Sequence, residues 1–193
     1  VIRYSVISIV LLLAALVVQQ FLPAFTGLYD SRILLVQLVF LCCAVTVATP
    51  TMLVIAFIGG FLWDAQCALG PSCGDAEVYV QQVESLRFGY SILLFGAMGY
   101  LMQGIQPLFR KGKWHFSAIL SGIAVFLYLA AEYLIITFVR GDFMLTRSTA
   151  LQMVYTSLLT MLLSPFVFWL LFRIARNCGT SILPEVVKKR RIN

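Results

Sequence analysis

Glu132 is the acid whose position asks most of its surroundings. It lies inside the apolar run Trp114 to Val139, eight residues before Arg140, which is roughly 12 Å from that helix end at ~1.5 Å per residue. A carboxylate at that depth has to be paired, neutral or turned toward water, so it is expected to point into a bundle of helices. Tyr128 sits one turn before it and Ser121 shares nearly the same face, giving a polar stripe. Two readings stand side by side: a proton or cation site, and a carboxylic acid held neutral or hydrogen-bonded for packing.

A second acid, Asp64, closes the segment Gly59-Gly60-Phe61-Leu62-Trp63-Asp64. Gly60 and Asp64 are i and i+4 and share one helix face, which predicts a close helix contact beside a carboxylate. Arg32 begins the second apolar run at the same membrane face and is the expected partner, either in a structural ion pair or at an ion site. Cys67 and Cys73 flank Leu69-Gly70-Pro71; an oxidising compartment would permit a disulfide if the bond geometry can be met. Cys42 and Cys43 read as small apolar residues inside a helix. No C-x-x-C pair, His-Glu-x-x-His, phosphate-binding glycine loop or nucleophile with a partner base occurs, and His115 is alone beside Trp114. The expectation is a protein that is not an enzyme and uses neither metal nor cofactor.

The elements that carry these residues are six apolar runs: Tyr4 to Leu22, Ile33 to Ala48, Thr51 to Leu69, Phe88 to Leu108, Trp114 to Val139 and Thr149 to Ile174. A crossing helix needs about 20 mostly apolar residues, and most runs are near or above that length. With 61% hydrophobic and 11% charged residues among 193 and a mean hydropathy of +0.96, polar side chains are too few to coat a water-soluble domain. The first run could alternatively be a signal peptide with Val6 to Val18 as its core, but it lacks a convincing Ala-x-Ala-like site and leads into more membrane. The expected fold is all-α and polytopic, with a six-helix domain over residues 1–176 and a basic tail over 177–193.

Lys and Arg are retained on the cytoplasmic side of short loops. With the amino terminus inside, that side collects Arg3, Arg110, Lys111, Lys113, Arg173, Arg176 and the Lys188-Lys189-Arg190-Arg191 run, ten of the fourteen positive charges. Both termini are therefore expected in the cytoplasm. The net charge of +6 sits at helix ends, which suits anionic headgroups at the tail, or topology alone, rather than nucleic acid. The long connection from Asp64 to Arg87 falls outside, with a surface helix expected over its second half. Gly59, Gly60, Gly89, Gly96, Gly99 and Gly104 thin the third and fourth helices. Gln152, Thr156, Thr160 and Ser164 recur along the sixth, as packing glue between helices. Pro50 is expected in a tight connection, and Pro165 falls in the last run.

Several of these pieces occur together in one family. Pro50, thirteen residues and Asp64 with paired glycines, Cys67-Ala68-Leu69-Gly70, Gly99-Tyr100-Leu101, Phe109-Arg110 before a tryptophan, Ala131-Glu132-Tyr133, and Ser164-Pro165-Phe166 running on to Arg173 resemble MreD, the bacterial rod shape-determining membrane protein family. The resemblance implies a multi-pass inner-membrane component of the elongation complex that directs side-wall peptidoglycan synthesis. Its partners would be the scaffold MreC, the actin-like filament protein, and the glycosyltransferase and transpeptidase of that complex. The longer external loop and extended tail depart from the family's compact pattern. The family is also similar to the substrate-binding subunits of energy-coupling-factor vitamin transporters. In that alternative, Glu132, Tyr128 and Gln152 would line a pocket.

Overall fold

Inside a bilayer a backbone must satisfy its own N–H and C=O groups, which is why long apolar runs become helices. The computed structural model describes residues 2–23, 25–29, 31–69, 89–110, 114–140 and 146–177. Among them lie six α-helices: α1 (Ile2–Phe21), α2 (Leu35–Thr46), α3 (Thr49–Leu69), α4 (Tyr90–Arg110), α5 (Trp114–Arg140) and α6 (Arg147–Asn177). The chain is all-helical there apart from one short 3₁₀ turn, Thr26–Leu28, and an isolated bridge between Phe25 and Ser31. Residues 70–88, with Cys73 and the expected surface helix, the basic turn 111–113 and the tail 178–193 lie outside the described residues. So do the side chains of Cys67 and His115, and with them the Cys67–Cys73 pairing.

Among the described residues three helical stretches are long and apolar enough to cross a membrane: Arg3–Phe21, Ala118–Phe138 and Arg147–Asn177. They mark the chain as a membrane protein. The third and fourth helices have 21 residues each, a crossing length, but Gly60, Asp64 and Gln66 dilute one, and Gln103 and Gln106 the other. The second is different in kind. Its 12 residues rise only about 18 Å at ~1.5 Å per residue, against a hydrocarbon core about 30 Å thick.

The second run was expected as a helix from Ile33 to Ala48; its helix starts later and stops earlier. What it lacks in length it gains in burial. Every residue from Val36 to Val45 is buried, and α2 touches all the other helices. Apolar on every side, it has no face to offer lipid or water and so becomes the axis around which the rest assemble. Consecutive helices alternate in direction. Tyr4 near the start of α1 meets Thr46 at the end of α2, and Ser121 early in α5 meets Ser164 late in α6. Pro50, expected in a loop, instead sits in the first turn of α3, where the N–H it lacks would have no helical partner anyway.

Close approach is confined to particular glycines. A Cβ on Gly60 would lie 2.5 Å from the Ile92 Cα, so the backbones of α3 and α4 touch there. On Gly99 it would meet Met52 Sδ at 2.6 Å and Phe40 Cζ at 2.8 Å, and on Gly59 Leu12 Cδ2 at 3.1 Å. Gly96, expected to serve the same purpose, faces open space, with nothing within 4 Å. The reason is rotation: Gly96 is turned about 60° round α4 from Gly99, toward the exposed Leu93, Ala97 and Tyr100.

Pro165 lies within α6 without ending it, although its ring removes the bond to the Met161 carbonyl. The neighbouring seam compensates: Ser121 and Ser164 hydroxyls are 2.8 Å apart and fully buried, and Gly122 fits against Met161. The outer surface is strongly apolar, with Phe21, Leu93, Phe138 and Leu162 each at least 70% exposed, a surface suited to acyl chains rather than water. Near the far end of α6 the Arg173 guanidinium stands 5.5 Å from the Trp169 ring, itself stacked on Phe166, an arrangement fitted to a membrane interface.

Candidate functional site at the Asp64 end

A helix that begins inside a bundle leaves its first N–H groups without intrahelical partners, and no water is at hand to take them. At the start of α2 other helices supply the acceptors. Gln19 of α1 accepts from the Leu35 and Val36 N–H groups through Oε1, at 2.6 and 3.1 Å, and donates from Nε2 to the Ile33 carbonyl at 2.9 Å. From the other side, Thr156 and Thr160 of α6 accept from the N–H groups of Arg32 and Leu34 at 3.4 and 3.2 Å. One glutamine and two threonines thus hold the non-helical lead into α2, which is what shortens that helix.

Asp64 is buried on the last part of α3 and accepts a 2.6 Å hydrogen bond from the Gly89 N–H. Gly89 stands immediately before α4 with φ +104°, a conformation that a side chain would strain. The carboxylate therefore sits at the positive end of α4 and caps it from a neighbouring helix. One turn before Asp64, Gly60 allows the backbones to touch. The expected pair with Arg32 does not form among the described residues: Arg32 is exposed and engages Thr156 only through its backbone. A helix terminus supplies the positive potential that the sequence reading sought from a guanidinium.

Glu132 is half-buried on α5. Tyr128, one turn along, is 2% exposed and meets Phe95 of α4 edge-on at 5.7 Å, while Phe95 packs on Phe40 of α2 at 4.9 Å. Ser121, the third member of the stripe, is buried but bonds to Ala118 and Ser164 instead. Tyr128 also lines a small cavity between α2, α4 and α5, whose polar occupant is Gln37. Gln152 is exposed, and neither it nor Glu132 is in that wall. Among the described residues no three His, Cys, Asp or Glu side chains converge.

The opposite end of α2 is closed by different chemistry. Gln106 of α4 donates to the carbonyls of Val45 and Val47 at 3.1 and 3.2 Å, and Gln103 receives the Thr49 hydroxyl at 2.7 Å. Tyr4 donates to Thr46, which in turn bonds the Cys43 carbonyl. Cys42 and Cys43 are free, buried thiols in the core of this helix.

Sequence reasoning singled out Asp64, Glu132, Tyr128 and Gly60 and missed Gln19, Gln37, Gln103 and Gln106. The signal was available: each is an amide inside or at the end of an apolar run, where it has to find partners in the protein. Comparison of the chain with protein-family models, with curated proteins and with solved structures gives no match in any of the three.

Proposed function

We propose that this chain is a non-catalytic scaffold of the bacterial inner membrane, an MreD-like component of the rod elongation complex. It crosses six times with both termini in the cytoplasm, binds MreC, and helps to direct side-wall peptidoglycan synthesis beside the filament protein, glycosyltransferase and transpeptidase. The observation that carries the reading is the use made of the segment of closest resemblance. Pro50 opens α3, Gly60 admits the α4 backbone, and Asp64 caps α4 through Gly89. These are positional tasks, suited to presenting a fixed surface to a partner, with the basic tail on anionic lipid. Co-purification from native membranes in mild detergent tests it. The wild-type chain recovers MreC and the synthases; Asp64→Ala weakens recovery of MreC, whereas Asp64→Asn, which keeps an acceptor for Gly89, retains most of it. An unchanged complex in the Ala variant overturns the role given to Asp64.

The second reading, a substrate-binding subunit of an energy-coupling-factor vitamin transporter, rests on the family similarity; the cavity that Tyr128 lines is far too small for a vitamin, and Glu132 and Gln152 are not in its wall. It predicts that a vitamin or a coupled ATPase module is recovered in the same experiment instead of MreC.

A further inference from the structure

Leu162, Phe166, Trp169, Arg173 and Arg176 recur along α6 at steps of four and three residues, which sets all five on one stripe about 80° wide. The stripe faces outward: Leu162 is 79% exposed, Phe166 58% and Trp169 54%, and both arginines are exposed. Its chemistry changes along its length. An aliphatic side chain is followed by two stacked rings with centroids 6.0 Å apart, and these by the Arg173 guanidinium, 5.5 Å from the Trp169 centroid. From Leu162 to Arg173 the helix rises roughly 16 Å at ~1.5 Å per residue, about half of the ~30 Å hydrocarbon core and so the depth of one leaflet. An arginine in the last turn of a helix often does no more than meet the final carbonyls, and Arg176 is placed for that. Arg173 is not: its guanidinium leans back over Trp169, away from that end. Stacking uses the face of a guanidinium and leaves its in-plane N–H groups to reach an anion. α6 has no Asp or Glu, and among the described residues no carboxylate pairs with Arg173. A lipid phosphate is the anion that a membrane sets at this level, and the guanidinium fork matches its oxygens.

We infer that this stripe of α6 is a docking site for one anionic glycerophospholipid, its phosphate held by Arg173 and Arg176 and an acyl chain laid along Phe166 and Leu162. Trp169 is a positioning residue, which fixes the guanidinium at headgroup level. A zwitterionic lipid has the same chains and phosphate but brings a cation of its own, which two neighbouring arginines repel, so the site selects on net charge. The site lies on the helix itself, apart from the basic tail. It uses only the chain's membrane character and therefore stands or falls apart from the proposed function.

Trp169 reports on the lipid beside it, because bromine on an acyl chain quenches an indole that it touches. The whole chain carrying Trp63→Phe and Trp114→Phe, which leaves Trp169 as its one indole, is reconstituted in phosphatidylcholine bilayers with equal fractions of dibrominated phosphatidylglycerol or dibrominated phosphatidylcholine. Quenching is expected to show phosphatidylglycerol associating several-fold more tightly at Trp169. Arg173→Gln should bring that ratio close to one with the tail still in place, and Arg173→Lys, which keeps the charge but loses the planar fork, should fall between. If the tryptophan replacements prevent insertion, native mass spectrometry of the otherwise unaltered chain counts retained lipids instead: one phosphatidylglycerol per chain, lost in Arg173→Gln. Equal quenching by the two lipids overturns the inference. So does a preference unchanged in Arg173→Gln, which would assign it to the tail, or weak quenching by both lipids, the result if another protein chain covers the stripe.

Discussion

The two ends of α2 solve the same problem with opposite groups. At the Asp64 end the exposed backbone groups are mainly N–H donors, and they are met by acceptors: Gln19 Oε1, two threonine hydroxyls and, for α4, a carboxylate. At the Gln106 end the groups are carbonyls, and they are met by neutral amide donors. Asp64 is favoured where it lies because it meets the start of α4 through Gly89, where a helix start attracts negative charge. Glu132 and the unpartnered Gln37 lie toward the same end of the bundle. The helix that most needs support places the acceptors, and the acceptors mark where chemistry can sit.

The contrast can be broken most severely at Gly60. Gly60→Leu forces a side chain into the α4 backbone and is expected to destabilise the bundle by about 4 kcal/mol or more, read as a lost or much lowered melting temperature in detergent. Gln19→Leu removes three hydrogen bonds and strands two buried N–H groups, with an expected loss of about 3 kcal/mol in the same melt. Gln106→Leu acts at the neutral end, where the Val47 carbonyl keeps the Gln103 donor and only the Val45 carbonyl loses its side-chain partner. About 1 kcal/mol is expected, and a loss equal to that of Gln19→Leu would erase the difference between the ends. Gly96→Ala sharpens the comparison from the other direction: its Cβ enters open space, so a gain of roughly 0.5 kcal/mol from helix propensity is expected, provided nothing docks on that face.

What the sequence made legible was set by hydropathy and by face. The apolar runs located every helix among the described residues, and the i, i+4 relation of Gly60 and Asp64 put a close contact and a carboxylate together correctly. Hydropathy is blind to where N–H groups find partners, so Ile33 and Leu34, apolar in type, were read as helical although their backbone serves Gln19 and Thr160. The partner of Asp64 was sought among charges, since a backbone N–H ahead of a helix has no letter of its own except the glycine that permits it. Gly96 and Gly99 look alike in a list of residues and differ only in which way α4 is turned. A single amide in a long apolar run changes its mean hydropathy little, so the pattern of the run does not mark Gln37.

The threonine bonds at the start of α2 span 124 and 126 residues of chain. During synthesis the earlier helices enter the membrane well before α6 exists, so the N–H groups of Arg32 and Leu34 wait for acceptors that are made more than 120 residues later. Until then the second helix, too short to cross alone, has its lead segment incompletely bonded. Assembly is thus ordered by the chain itself: the axis of the bundle is inserted before α6 and finished only with it, and a chain truncated before α6 would be left with an open centre for quality control to recognise.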